Sequence, residues 1–222
     1  MEAAPRVPMW LKLAYTAFMA IFLPVYWYHY GPTNFLYFCD VSLLVTLAGI
    51  WLDSPLIISI AAVGILGSQA LWILDFAVEL AGGHLTGMTS YMFDTQRPLY
   101  LRALSLFHGW LPFLLIYLVR RLGYDRRGFW RWTILAWALI LTCFFFLPPP
   151  SLHHGIRPVN VNYVYGFSDD ERQHWVPQGV WLIVEMIALP AVLYLPAHFL
   201  LRSGLLKRRV ALVPRTAEGE QL

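Results

Sequence analysis

Charge is what this chain has least of. Asp, Glu, Lys and Arg make up 13% of its 222 residues, where soluble domains carry about a quarter. The shortage runs along the whole length, which excludes a soluble domain carried on one anchor and points to a polytopic membrane protein. Cysteine is scarce too: Cys39 and Cys143 stand alone. Without a CxxC pair or a Cys/His spacing of metal-site type, the sequence names no metal and no cofactor. Both cysteines lie in apolar runs and can sit towards the same membrane face, which leaves a disulfide open. No small-residue cleavage pattern follows the first apolar run. The aromatic stretch Tyr26-Trp27-Tyr28-His29-Tyr30 stands there instead, so the run reads as a retained signal-anchor helix. Repeats and low-complexity segments are missing, and residues 1–222 read as one domain.

What is present is apolar. Hydrophobic residues reach 59% and the mean hydropathy is +0.56. A crossing takes about 20 such residues. The expected fold is therefore all-α, a six-transmembrane-helix bundle with helices near 9–29, 34–52, 55–80, 98–121, 129–148 and 178–203. The net charge of +3 comes from short basic clusters: Arg6 and Lys12, then Arg120, Arg121, Arg126, Arg127 and Arg131, then Arg202, Lys207, Arg208 and Arg209. Six crossings put all of these on one side, which the positive-inside rule makes cytoplasmic, with both termini there. Such clusters are topogenic and indicate no nucleic-acid partner. The other side receives two longer polar segments, about 81–97 and 149–177, of the size that carries function or covers a site.

Hydrocarbon penalises charge, so ionisable residues within spans are candidates for function. Asp40, Asp75, Glu79, His108 and Glu185 all fall in the outward half. Helix rise places Asp40 and Glu185 about 9 Å below the outer edge and His108 about 15 Å, near mid-membrane. Asp75 and Glu79 share a face, extended inward by Trp72 and Ser68. Ser105 and His108 share another, with Arg102 a turn above. These registers aim polar groups of four helices at one outward-opening pocket. The bland readings stand beside this one. His108 and Glu185 could be interhelical hydrogen-bonding residues, Asp40 could pair with Arg97 or Arg102, and Asp75 and Glu79 could sit at headgroup level. In the outer segment, Asn160 and Asn162 share a side if extended, as a short strand or re-entrant lid offering amides to the pocket, or else form a plain interfacial loop. Pro190 and Pro196 could open the last helix locally. The pair His153-His154 is a weak metal cue, because adjacent His seldom ligate together.

Four pieces in order, Phe35-Leu36-Tyr37-Phe38-Cys39-Asp40, Ser68-Gln69-Ala70-Leu71-Trp72-Ile73-Leu74-Asp75, Phe107-His108-Gly109 and Asn160-Val161-Asn162-Tyr163, resemble the YwaF-like family of bacterial integral membrane proteins. That family looks related to eukaryotic membrane acyltransferases and to androgen-induced membrane threonine hydrolases. The resemblance implies a compact six-helix bundle in a bacterial inner membrane, with lipids as partners. It also implies chemistry on lipid esters or acyl chains: His108 as general base, Cys39 or Thr33 as nucleophile, and Asp40 as the group that orients or balances charge. The His that the family often shows early in helix two is replaced here by aromatic residues. The alternative is a non-catalytic membrane subunit or small-ligand binder in a larger complex. Asp75, Glu79, Arg102, Asn160, Asn162 and Glu185 would then be ligand-binding or helix-joining groups. A proton-coupled transporter suits the buried acids but lacks inverted-repeat symmetry.

Overall fold

The computed structural model describes residues 6–152 and 157–203. His153, His154 and the basic residues Lys207, Arg208 and Arg209 lie outside them. Every regular element among the described residues is helical: α1 (Met9–Tyr30), α2 (Phe38–Trp51), α3 (Pro55–Leu80), α4 (Leu99–Ser105), α5 (Phe107–Leu122), α6 (Arg127–Phe146), α7 (Gln178–Ala188), a π-helical segment (Leu189–Tyr194) and α8 (Leu195–Arg202). Among the described residues, five spans are long and apolar enough to cross a membrane: α1, α3, α4 with α5, α6, and α7 through α8. The chain is a multi-pass membrane protein on this architecture. The sixth apolar helix, α2, has 14 residues, about 21 Å at helical rise.

α3 is the central post. It packs against α2, α5, α6, the π segment and α8. Small residues let its neighbours approach. A Cβ on Gly64 would lie 2.1 Å from the Trp132 ring of α6, and one on Gly67 would lie 3.1 Å from the Leu193 carbonyl of the π segment. Lipid is as apolar as a leucine core, so close van der Waals packing of this kind carries helix association. The outer faces are correspondingly greasy, with Ile21, Leu74, Phe113, Ile134, Phe145 and Ile187 exposed.

The basic clusters gather at one end. Lys12 of α1 bonds the Asp53 carboxylate after α2 at 2.8 Å, the Tyr124 hydroxyl meets His198 of α8 at 2.6 Å, and the Arg121 guanidinium reaches the Arg6 carbonyl. Partial burial alone would raise the Asp53 carboxyl. The Lys12 ammonium, the Val7 N–H and the charge of Arg6 outweigh it and hold the group below the usual carboxylate range.

Two spans differ from the sequence reading, and the last opens where its prolines suggested. Helix two was expected from residue 34. Instead Pro32–Leu36 forms a 3-10 turn entered through Gly31 at φ +82°, Tyr37 is extended, and α2 begins at Phe38. Asp40 is thus the third residue of the helix and not the seventh, Cys39 the second, and Thr33 is on the turn. The expected 98–121 helix breaks at Leu106. Pro112 stands one turn further on, where its ring crowds the carbonyl four residues back, at His108, and perturbs the first turn of α5. The Gly109 N–H bonds Leu106 at 2.9 Å, which leaves the Ser105 carbonyl without its regular partner. The last span opens into π turns around Pro190. Having no N–H, Pro190 frees the Met186 carbonyl, and the Trp137 indole of α6 donates to it at 2.7 Å.

Candidate polar site

The start of α2 is built from a distance. The Asn162 side chain accepts from the Phe38 N–H at 3.1 Å and donates to the Leu36 carbonyl at 2.9 Å. It thereby satisfies one of the unpaired donors every helix start exposes. It also lies 3.5 Å from the Cys143 sulfur of α6. Asn160, Asn162 and Tyr163 have positive φ, conformations Asn tolerates better than most residues. The segment is therefore a tight 3-10 turn and not the extended strand considered from its alternation. The Asn160 amide donates to the Gly166 and Ser168 carbonyls and accepts from the Tyr165 N–H. Both asparagines bond backbone.

Asp40 is 2% exposed and accepts a hydrogen bond from the Asn34 amide. Its partner is that amide and neither Arg97 nor Arg102. The helix N-terminus just above also favours a carboxyl in this first turn. Cys39, half-buried, and Cys143, buried, are both free thiols, so the disulfide left open by sequence is not formed. Thr33 is half-buried on its turn.

His108 is the second residue of α5 and is held on two sides. Its Nδ1 lies 2.8 Å from the orphaned Ser105 carbonyl. A carbonyl only accepts, so Nδ1 carries a hydrogen, and when the ring is neutral Nε2 is its acceptor. The imidazole stacks on the Trp72 indole of α3, centroids 5.0 Å apart at 17°, and tilts against Phe107 at 4.0 Å. The Trp72 indole donates to the Tyr91 hydroxyl at 3.2 Å. Burial raises the Tyr91 phenol above its ordinary range, against the pull of the Trp72 bond, so it remains a neutral hydroxyl. The Ser105 hydroxyl donates to the Leu101 carbonyl and so accepts from the Tyr26 hydroxyl of α1 at 2.6 Å. His108, Trp72, Tyr91, Ser105 and Tyr26 therefore form one bonded and stacked set across α1, α3, α4 and α5. Neither Cys39 nor Thr33 is hydrogen-bonded to His108. Beside the set, the Arg102 guanidinium donates to the Met92 carbonyl at 3.2 Å and Arg97 lies over the Tyr91 ring at 5.6 Å. The Arg97 Nε pairs with the Asp94 carboxylate at 3.4 Å, while Arg102 keeps a buried Nε without a hydrogen-bond partner.

Asp75 and Glu79 serve the loop above. Asp75 accepts from the backbone N–H and the hydroxyl of both Thr86 and Thr89, at 2.7 to 2.9 Å. Glu79 accepts from the Ser90 hydroxyl at 2.8 Å and lies 3.8 Å from His84. Glu185 is separate again, half-buried on α7, with one carboxyl oxygen buried and without a hydrogen-bond partner.

The sequence reading passed over Tyr26, Asn34 and Tyr91. Tyr26 was hidden in an aromatic run that reads as interface, while Asn34 and Tyr91 sit in turns whose geometry no periodicity reports. No family model matches the chain, and no curated protein or solved structure is similar enough to match it.

Proposed function

We propose that this chain is a six-crossing protein of a bacterial inner membrane, both termini cytoplasmic, that takes a membrane lipid at its outer end and acts on the lipid's ester or acyl linkage. The observation that carries this reading is His108: a ring fixed by a backbone carbonyl and an indole stack, with Nε2 left as an acceptor. That is the arrangement a general base or a positioned hydrogen-bond acceptor requires. An apolar groove of about 510 Å³ between α1 and α4–α5, lined by Phe18, Ile21, Val25, Tyr100, Leu104 and Trp110 among others, supports it, since an acyl chain fits such a surface beside the His108 set. In this reading Cys39 or Thr33 is the nucleophile, drawn to His108 when substrate enters, and Asp40 with Asn34 fixes the start of α2 on which Cys39 sits. The lipid chemistry in this reading is the one that the resemblance to the YwaF-like family implies.

A second reading, a non-catalytic membrane subunit or small-ligand binder, is favoured by one observation: Asn34, Asp75, Glu79, Asn160 and Asn162 all bond neighbouring backbone or side chains and tie the outer end together. The two readings part in one experiment. The protein in nanodiscs is incubated with native lipid extract, and lipid species are followed by mass spectrometry. Turnover that disappears in His108→Gln, while the thermal unfolding midpoint stays, supports the enzyme. Turnover that persists removes His108 as the base. If the wild type turns over nothing, the subunit reading stands.

A further inference from the structure

Two aromatic rings that none of these readings employs stand open beside the start of the last span. Phe167 is 74% exposed and Trp175 is 73% exposed. Both rest edge-on against Trp181 of α7, with centroids 5.1 Å and 5.9 Å away at 87° and 80°. They lie 6.4 Å from each other. Trp181 is itself buried, and its indole donates to the Tyr163 carbonyl at 3.1 Å. The support is therefore fixed, and the two rings on it are not covered.

The backbone holds them there. The Tyr165 carbonyl accepts from the Gln173 N–H at 2.9 Å, which closes a loop over 165–173. Gly166 turns at φ +127°, and a Cβ on it would lie 2.9 Å from that same nitrogen. The Gln173 side chain then clamps the next stretch. It accepts from the Trp175 and Val176 N–H groups at 2.9 Å and 3.1 Å and donates to the Val176 carbonyl at 2.8 Å. The Gln178 amide donates to the Gln173 carbonyl at 3.0 Å. Apolar surface left in water costs about 25 cal/mol per Å². Large rings displayed on a frame this well bonded mark a surface with an occupant.

The neighbouring surface says which occupant. The exposed residues of α7 are Val180, Ile183, Val184 and Ile187, spaced as one helix stripe, and in a multi-pass protein such a stripe faces lipid. Val176, also exposed, leads from Trp175 to it. The span Gln178–Arg202 has 25 residues, up to about 37 Å at helical rise, against a hydrocarbon core of about 30 Å. Its first turn therefore reaches headgroup level, where Trp is favoured because its ring is apolar and its N–H is wet. We propose that Phe167 and Trp175, seated on Trp181, are a membrane anchor that dips into the phospholipid leaflet at this end and lays residues 165–177 on its surface. The contact is apolar, made to the glycerol region and first methylenes. The exposed acidic run Asp169-Asp170-Glu171 offers no attraction to an anionic headgroup. The anchor lies apart from the His108 set and does not depend on lipid chemistry there.

The test uses the full-length protein in liposomes of dioleoylphosphatidylcholine. Benzoylphenylalanine, a photoreactive aromatic residue, replaces Phe167 or Trp175, with Ile183 as the lipid-facing reference and Glu171 as the water-facing one. After irradiation, peptide mass mapping is expected to find phospholipid adducts in place of Phe167 and Trp175, in yield comparable to that at Ile183, and none at Glu171. Added phosphatidylglycerol or salt is expected to leave those yields unchanged. Absence of lipid adducts at both rings while Ile183 reacts overturns the proposal. Adducts to a second protein chain overturn it as well and assign the rings to a protein interface. A yield that falls with salt overturns the apolar nature of the contact. The wild type gives a reading with both rings intact: brominated phosphatidylcholine is expected to quench a part of the Trp emission that Trp175→Phe lacks. Equal quenched amplitude in the two proteins removes Trp175 from the leaflet and overturns the anchor.

Discussion

Asp75 accepts four hydrogen bonds from two threonines, two on each carboxyl oxygen. Bonds to charged groups contribute about 1.5–3 kcal/mol each when one is lost. Asp75→Asn presents an N–H₂ where one pair of donors now points, so it is expected to cost at least about 2 kcal/mol. The threonine loop is expected to open before the helices do. Hydrogen exchange at residues 84–92, rising while α3 stays protected, would confirm this, and unchanged exchange would refute it. Asp53 supplies the pH counterpart. Its carboxyl is held below the usual range in the fold, so the unfolded state binds the proton more readily. The stabilisation is complete above the ordinary carboxylate range and is lost as pH falls through the folded value. Asp53→Asn should therefore lower the unfolding midpoint at neutral pH and converge with wild type in acid.

Among the elements, Gly64 sets how near α6 comes to α3. Gly64→Ala drives a methyl into the Trp132 ring, and overpacking of this kind costs about 1–3 kcal/mol. Thermal unfolding in detergent measures it, and a neutral result would mean that Trp132 can shift. The Trp137 bond to the Met186 carbonyl has a sharper signature. Trp137→Phe should cost about 1 kcal/mol, and less in a Pro190→Ala background, where an N–H can close the regular bond; the double-mutant cycle reads the difference. The long spans were legible in the sequence because hydrocarbon tolerates only apolar runs of sufficient length. Their breaks were legible where the cause is local, as at Pro190. They were not where it is remote. Nothing near residue 38 announces that α2 starts there, because its cap is Asn162. Likewise His108 was visible as a deep ionisable residue. Its bond to Ser105 follows from the break at Leu106, and the Tyr26 contact to Ser105 joins residues 79 apart.

At the scale of the whole molecule, two unlike ends bracket a greasy belt. One end carries Arg6, Lys12, Asp53, Arg121 and the 123–126 turn. The other carries the threonine loop, the Asn turn and the His108 set. If the basic end is cytoplasmic, as proposed above, single cysteines placed at Thr86 and at Tyr124 react with an impermeant thiol reagent from opposite faces of intact cells. Reaction of both from one face would refute the six-crossing topology.

The Asn162 clamp has a consequence in time. A nascent chain emerges from its first residue onward, and the group that closes the top of α2 lies 124 residues downstream of Phe38. Until residue 162 has been translated, the N–H of Phe38 lacks the acceptor that holds it in the finished protein, and Cys39 stands on an unfinished turn. Maturation of this end is thus a late event in biogenesis, completed only after α6 is in the membrane. Ribosome-stalled chains ending before residue 160 should expose Cys39 to a membrane-permeant maleimide, and chains long enough to release residue 162 should protect it.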